Sequence, residues 1–183
     1  AFQARQLRGF NDPNINAVLN EKWGQIRPSS ETKRKLIETW RVKLTEQNLA
    51  EADLDAGRAL FEKTCSKCHR IYGKGGILAP DLTGSNRDNL DYILENVIDP
   101  SAMLAANYRM STIETVDGRI LSGIVIDSGG PTVQIRTPEN EIVLNRADLH
   151  RVSKTKLSLM PDGLFDILSD EQVRDLVGFL RHK

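Results

Sequence analysis

The run Leu60-Phe61-Glu62-Lys63-Thr64-Cys65-Ser66-Lys67-Cys68-His69 decides how this chain is read. Two thiols separated by two residues, with a histidine directly after the second, have the spacing used for covalent attachment of a c-type haem. Each side chain has its own task. Cys65 and Cys68 can form thioethers to neighbouring vinyl groups of one porphyrin, while the short turn between them aims His69 at the iron. A thioredoxin-like redox pair needs no following histidine and sits in a βαβ pattern that is missing here. A closed structural zinc site takes four ligands. After His69 the chain has no further cysteine, and His150 and His182 are far apart in sequence. One covalent haem c is therefore the expected cofactor, with His69 as an axial iron ligand.

The bulk composition narrows the partners. A chain of 183 residues can build one generous core or two small ones. Its 25 Lys+Arg balance 25 Asp+Glu, which argues against nucleic acid or an anionic membrane as a general partner. No apolar run is long enough to span a bilayer, so no transmembrane segment is expected. Both cysteines lie in the motif, leaving none for a disulfide. Because c-type haem is attached on the outer side of energy-transducing membranes, a periplasmic or secreted location is expected. Ala1 to Phe10 shows no signal-peptide pattern, and such a start is expected of a processed mature end or an excised piece of a longer chain.

Upstream of the motif the pattern is helical. Asp53 caps a helix whose apolar face is Ala56, Leu60 and Phe61, with Gly57 offering a place of close approach. Asp12-Pro13 opens an earlier helix with Ile15, Val18, Leu19 and Trp23 on one face and Gly24 as its stop. Ser29 or Ser30 caps a second, with Leu36, Ile37, Trp40 and Leu44 at helical spacing. Residues 12–46 thus read as a helical hairpin whose apolar stripe packs on the rest of the chain.

Downstream, Tyr72-Gly73-Lys74-Gly75-Gly76 lacks the spacing and terminal hydroxyl of a phosphate loop. Asp88 to Asp99 reads as a helix ended by Pro100. Alternation then replaces helical period around Met110, Ile113 and Val116, then Ile120, Ile124 and Ile126, then Val133 and Ile135, and last Glu141 to Leu144. The turns between them are Asp117-Gly118, Asp127-Ser128-Gly129-Gly130 and Pro138-Glu139-Asn140, giving a small four-stranded antiparallel sheet or partial barrel at about 108–153. Ser169-Asp170-Glu171-Gln172 is a capping box before the stripe Val173, Leu176, Val177 and Leu180, expected to cross the Gly57/Phe61 face.

For the sixth iron position the choice is Met160, in the irregular segment Ser158-Leu159-Met160-Pro161. Thioether ligation favours ferrous iron and raises the potential. Met103, Met110 and His150 are the rivals, and a methionine without the motif would be read as core filler. In Ala79-Pro80-Asp81-Leu82, the Pro80 carbonyl can accept the His69 Nδ1 proton and Leu82 can wall the haem, the alternative being an ordinary turn. Lys63, Lys67, Arg70 and Lys74 surround the motif, either steering an acidic redox partner or serving as solvated surface.

The order Gly57, Phe61, Cys65-x-x-Cys68-His69, Pro80-x-Leu82, Met160-Pro161, Leu180 resembles class I cytochrome c. Departures are Ala79 where that family commonly has glycine, and the sheet inserted before Met160. A more extensive resemblance covers about residues 53–183. Leu60 to Cys65, Ala79-Pro80-Asp81-Leu82-Thr83-Gly84, Ile98-Asp99-Pro100-Ser101, Val116-Asp117-Gly118-Arg119 with Gly123, and Ser158 to Leu164 resemble the haem-binding domain of Pirellula/Verrucomicrobium type. Trp23 to Pro28 is similar to its lead-in. That resemblance implies a C-terminal module of a larger secreted dehydrogenase-type protein. The expected fold is mainly α, with a class I cytochrome c-like helical core in residues 53–183, the inserted sheet, and an N-terminal helical extension at 1–52. The expected function is electron transfer to a redox partner protein or a fused dehydrogenase domain, with no catalytic residue. Two alternatives are a haem enzyme or small-gas or peroxide sensor with a labile sixth ligand, and a partner- or polysaccharide-binding module with structural haem.

Overall fold

The computed structural model describes Leu7, Phe10, residues 12–22 and residues 27–182. Helix α1, Pro13–Lys22, begins where the Asp12 carboxylate accepts hydrogen bonds from the N–H groups of Asn14 and Ile15 at 2.8 and 3.0 Å. Its Ile15 and Leu19 pack on Met103, whereas Val18 points to solvent. The expected stop at Gly24 and the place of Trp23 lie outside the described residues. Helix α2, Glu31–Lys43, is capped by Ser30, which accepts from Lys33 N–H. It buries Ile37 and Trp40, the indole meeting the Phe165 ring edge-on at 5.5 Å. The short α3, Glu46–Ala50, is capped by Thr45.

Helix α4, Leu54–Thr64, carries the chain into the motif, and Asp53 caps it as expected by accepting from Asp55 and Ala56 N–H, both at 3.0 Å. Helix α5, Leu90–Ile98, is capped by Asn89, and α6, Asp170–Arg181, opens with the reciprocal Ser169/Gln172 capping box. The apolar stripe of α6 crosses α4 at Gly57, where an added Cβ would lie 2.1 Å from the Asp175 carbonyl oxygen and 2.8 Å from Phe179 Cβ. This closeness lets Phe61 and Phe179 meet with ring centroids 5.6 Å apart. Phe61, Leu94, Val173 and Val177 form the centre of the helical core, to which α2 contributes Ile37, Trp40 and the adjoining Leu44.

Two sheets follow. The motif is succeeded by a two-stranded ribbon of β1, Arg70–Ile71, and β2, Lys74–Gly75, in the segment expected to be a glycine-containing loop. The larger sheet consists of β3 (Arg109–Thr115), β4 (Ile120–Ile126), β5 (Thr132–Arg136), β6 (Glu141–Asn145) and β7 (Leu149–Ser158), all pairs antiparallel in the order β6-β5-β4-β3-β7. It has a core of its own, Ile113, Ile135 and Leu144, flanked by Leu121, Val125, Ile142 and Leu149.

The expectation of a mainly α chain with a class I cytochrome c-like fold is corrected here: the protein is 39% helix and 23% strand, a mixed architecture with a five-stranded antiparallel sheet. The missed strand is β7, ten residues long and outermost in the order, with most of its side chains exposed. Alternation betrays a strand only when one of its faces is in a core. Arg151, Lys154 and Lys156 on β7 instead carry charge of the kind that discourages further pairing at an edge.

Candidate haem site

Helix α4 ends at Thr64, and Cys65, its C-cap, opens a hydrogen-bonded turn that carries the motif. Cys65 N–H donates to the Phe61 carbonyl at 2.8 Å, and His69 N–H donates to the Cys65 carbonyl at 2.9 Å, so Cys65 and His69 stand one turn apart. Both thiols are free, and Cys65 packs against the helical core. Burial pushes both thiols above their ordinary value, so they remain protonated near neutral pH.

The segment after the motif folds back on it. Gly76 N–H donates to Ser66 O at 2.7 Å, Ala79 N–H to Cys68 O at 3.0 Å, and Leu82 N–H to Arg70 O at 2.8 Å. A Cβ at Gly75 would lie 2.2 Å from His69 O, and one at Gly76 2.2 Å from Lys67 O, so only glycines permit this wrap. The wrap brings Pro80 to the histidine: His69 Nδ1 lies 2.9 Å from the Pro80 carbonyl oxygen. A carbonyl can only accept, which assigns the proton to Nδ1 and leaves the Nε2 lone pair for a metal. Burial lowers the His69 pKa against the opposing effect of the Pro80 bond, so the ring is neutral, as an iron ligand must be. Leu82 packs onto the helical core.

Met160 is half-buried, between β7 and α6 in sequence. Its N–H donates to Ser158 Oγ at 3.1 Å, and Ser158 N–H donates to Ser101 Oγ at 3.0 Å. The rivals have other places. Met103 is buried against Leu19, Met110 pairs with Ile124 inside the sheet, and His150 is exposed on β7. Of the basic residues around the motif, Lys63, Lys67 and Lys74 are exposed, while the Nε–H of Arg70 is buried with no acceptor among the described residues.

Sequence reasoning missed Arg87. Its guanidinium is buried and donates to the Leu180 carbonyl, to His182 O at 2.9 Å, to Tyr72 Oη at 3.0 Å and to Thr83 O at 3.3 Å. Tyr72 Oη in turn donates to His182 O at 2.5 Å, and the guanidinium carbon stands 5.1 Å from the Tyr72 ring centre. This cation at the C-terminal end of α6 neutralises carbonyl ends and ties the wrapped loop to that helix. No local pattern announces it, because its partners lie up to 95 residues away.

These residues suit a covalently held haem. The donor set is a neutral, fixed imidazole beside two thiols in no disulfide, and the unmet Arg70 donor is of the kind a propionate satisfies.

Residues 52–115 match the family model described as Cytochrome C oxidase, cbb3-type, subunit III. The match supports a c-type cytochrome domain, and with it haem binding and haem-based electron transfer. It contains Cys65, Cys68, His69, Pro80 and Leu82 and ends with β3, so Met160 lies outside it. No curated protein matches the chain. No helix among the described residues is long and apolar enough to cross a membrane.

Proposed function

We propose that the chain is a monohaem c-type cytochrome domain working in electron transfer outside the cytoplasm, in which Cys65 and Cys68 would hold the haem covalently and His69 and Met160 would ligate its iron. The observation that carries this reading is the neutral His69 ring, fixed through Nδ1 by Pro80 one helical turn beyond a free Cys65 thiol. Bound haem supplies a one-electron couple. The protein's part is to set that couple. His69 offers its Nε2 lone pair, and the Pro80 hydrogen bond holds the tautomer and strengthens the donor. Met160 offers a soft thioether that favours the reduced state, and Leu82 helps keep water from the site.

In this reading residues 53–183 form the haem unit and 1–52 an extension to it. No residue is assigned a catalytic role. Support for a periplasmic or secreted place comes from the chemistry of haem attachment and from the usual extracytoplasmic position of cytochrome domains of the matched kind. The resemblance to the Pirellula/Verrucomicrobium domain favours a C-terminal module that receives electrons from a fused dehydrogenase domain or a separate redox protein. Optical spectra of oxidised and reduced protein, with and without carbon monoxide, test the reading. A six-coordinate low-spin haem that does not take up carbon monoxide is expected. Rapid carbon monoxide binding by the native reduced protein would instead favour a haem enzyme or gas sensor with an open sixth position.

A further inference from the structure

The most buried carboxylate of the helical region lies away from the motif, and its partners lead to Met160. Asp99 ends α5 with its side chain fully enclosed. Arg27 reaches it with two nitrogens, at 2.7 and 3.0 Å, and Lys33 Nζ donates to the same carboxylate at 3.0 Å. Burial alone would raise the Asp99 pKa, but the hydrogen bonds from Arg27 and Lys33 outweigh it and hold the group ionised. Arg27 is further fixed by its backbone N–H, which donates to Ala102 O at 2.9 Å.

Two routes run from this centre to the methionine loop. Lys33 Nζ, while holding Asp99, also donates to Asp162 Oδ1 at 2.8 Å. On the other side, Ser101 lies two residues after Asp99, and its Oγ accepts from Ser158 N–H at 3.0 Å, with Ser158 Oγ accepting from Met160 N–H at 3.1 Å. Met160 is thereby held from two residues before and two residues after. The holding groups come from α2 and from the turn after α5, neither of which supplies an iron ligand.

We propose that Lys33, anchored on the buried Asp99 carboxylate, is a positioning residue for the sulfur of Met160, so that the N-terminal helical region governs how firmly the sixth ligand is held. The proposal rests on Met160 being that ligand. Thioether sulfur is a weak ligand that a competing donor displaces once its loop swings away, so the fraction of time the loop is open sets the apparent affinity for that competitor. Pinning residues 158 and 162 lowers the open fraction without any contact to iron.

The test uses the oxidised holoprotein and imidazole as the competing ligand. Lys33→Met keeps the aliphatic stem and removes both ion pairs. Because Asp162 is largely exposed, solvent screens part of the loss, and imidazole should bind about fivefold more tightly. The red charge-transfer band of methionine-ligated ferric haem should weaken at temperatures where far-ultraviolet circular dichroism still reports a folded protein. Ser101→Ala, which cuts the other route, should also give about fivefold tighter binding, and Lys33→Arg should stay within about twofold of the native protein. Lys35→Met, on the same helix with its amine 3.8 Å from Glu31, should change nothing. Imidazole affinity of Lys33→Met and Ser101→Ala within twofold of native, or Lys33→Arg binding imidazole as tightly as Lys33→Met, overturns the positioning role. Met160→Ala separates the two levels of the argument. If it leaves the native spectrum unaltered, the ligand assignment itself falls, whereas a lost band beside unaffected Lys33 and Ser101 variants sinks the positioning role alone.

Discussion

Replacing Gly57 by alanine is the sharpest mechanical test of how the motif helix is held. The added Cβ would stand 2.1 Å from the Asp175 carbonyl oxygen and 2.8 Å from Phe179 Cβ, and the nearest of these atoms is backbone that no rotamer change can move. Restoring ordinary contact requires α4 and α6 to part by roughly 1 Å, which loosens the Phe61–Phe179 pairing at the centre of the core. Overpacking of this kind costs about 1–3 kcal/mol, and a collision with backbone belongs at the upper end. For a chain of 183 residues, about 3 kcal/mol corresponds to a fall in Tm of roughly 6–12 °C. Thermal unfolding followed by circular dichroism measures this directly. Gly84→Ala is the control, since its Cβ would meet nothing within 4 Å. If Gly57→Ala melts within 2 °C of the native protein, roughly the shift expected from no more than about 1 kcal/mol, the close crossing does not anchor the motif helix.

Further outcomes follow from other contacts. Met160→Ala should abolish the red charge-transfer band and admit carbon monoxide to the reduced protein, read by absorption spectroscopy; an unaltered spectrum would return Met103, Met110 and His150 to candidacy. His150→Ala should leave spectrum and potential nearly untouched, because the residue is exposed on an edge strand, and a displaced ligand-field band would bring the sheet to the iron. Asp99 is held below the ordinary carboxylate pKa, so its contribution is complete above the unfolded value, about 4, and is lost as pH falls through the lower folded value. Acid unfolding of Asp99→Asn should accordingly show a shallower loss of stability below about pH 4 than the native protein, and an identical acid limb would refute the assignment.

How far the sequence could be read depended on whether a contact leaves a local trace. The Ser169 capping box, the Asp53 cap and the stripe opposite Gly57 were legible because helical period and capping chemistry are written within a few residues. Four of the five strands of the large sheet alternate over their own small core and were expected near their observed places. Strand β7 was not, for an edge strand with both faces largely in water has no reason to alternate. Its omission, with that of the β1–β2 ribbon, underlies the mistaken mainly α class. Arg87 and the Asp99 centre were invisible for another reason: Arg87 bonds the Leu180 and His182 carbonyls and Asp99 bonds Arg27 and Lys33 across 66 to 95 residues, and a contact formed by tertiary folding has no sequence period. The segment Ile98-Asp99-Pro100-Ser101 marks a helix end and carries a family resemblance in sequence, with no hint of what the carboxylate holds.

The measurement that bears most directly on the account is haem retention after denaturation. Protein purified from cells able to attach haem c should keep its haem through denaturing electrophoresis and acid–acetone extraction, with the pyridine haemochrome of a porphyrin whose two vinyl groups are saturated as thioethers. Cys65→Ala and Cys68→Ala should each leave one vinyl group intact in any haem still bound, and the double variant should retain none. Haem that acid–acetone removes from the native protein would contradict the assignment of Cys65 and Cys68.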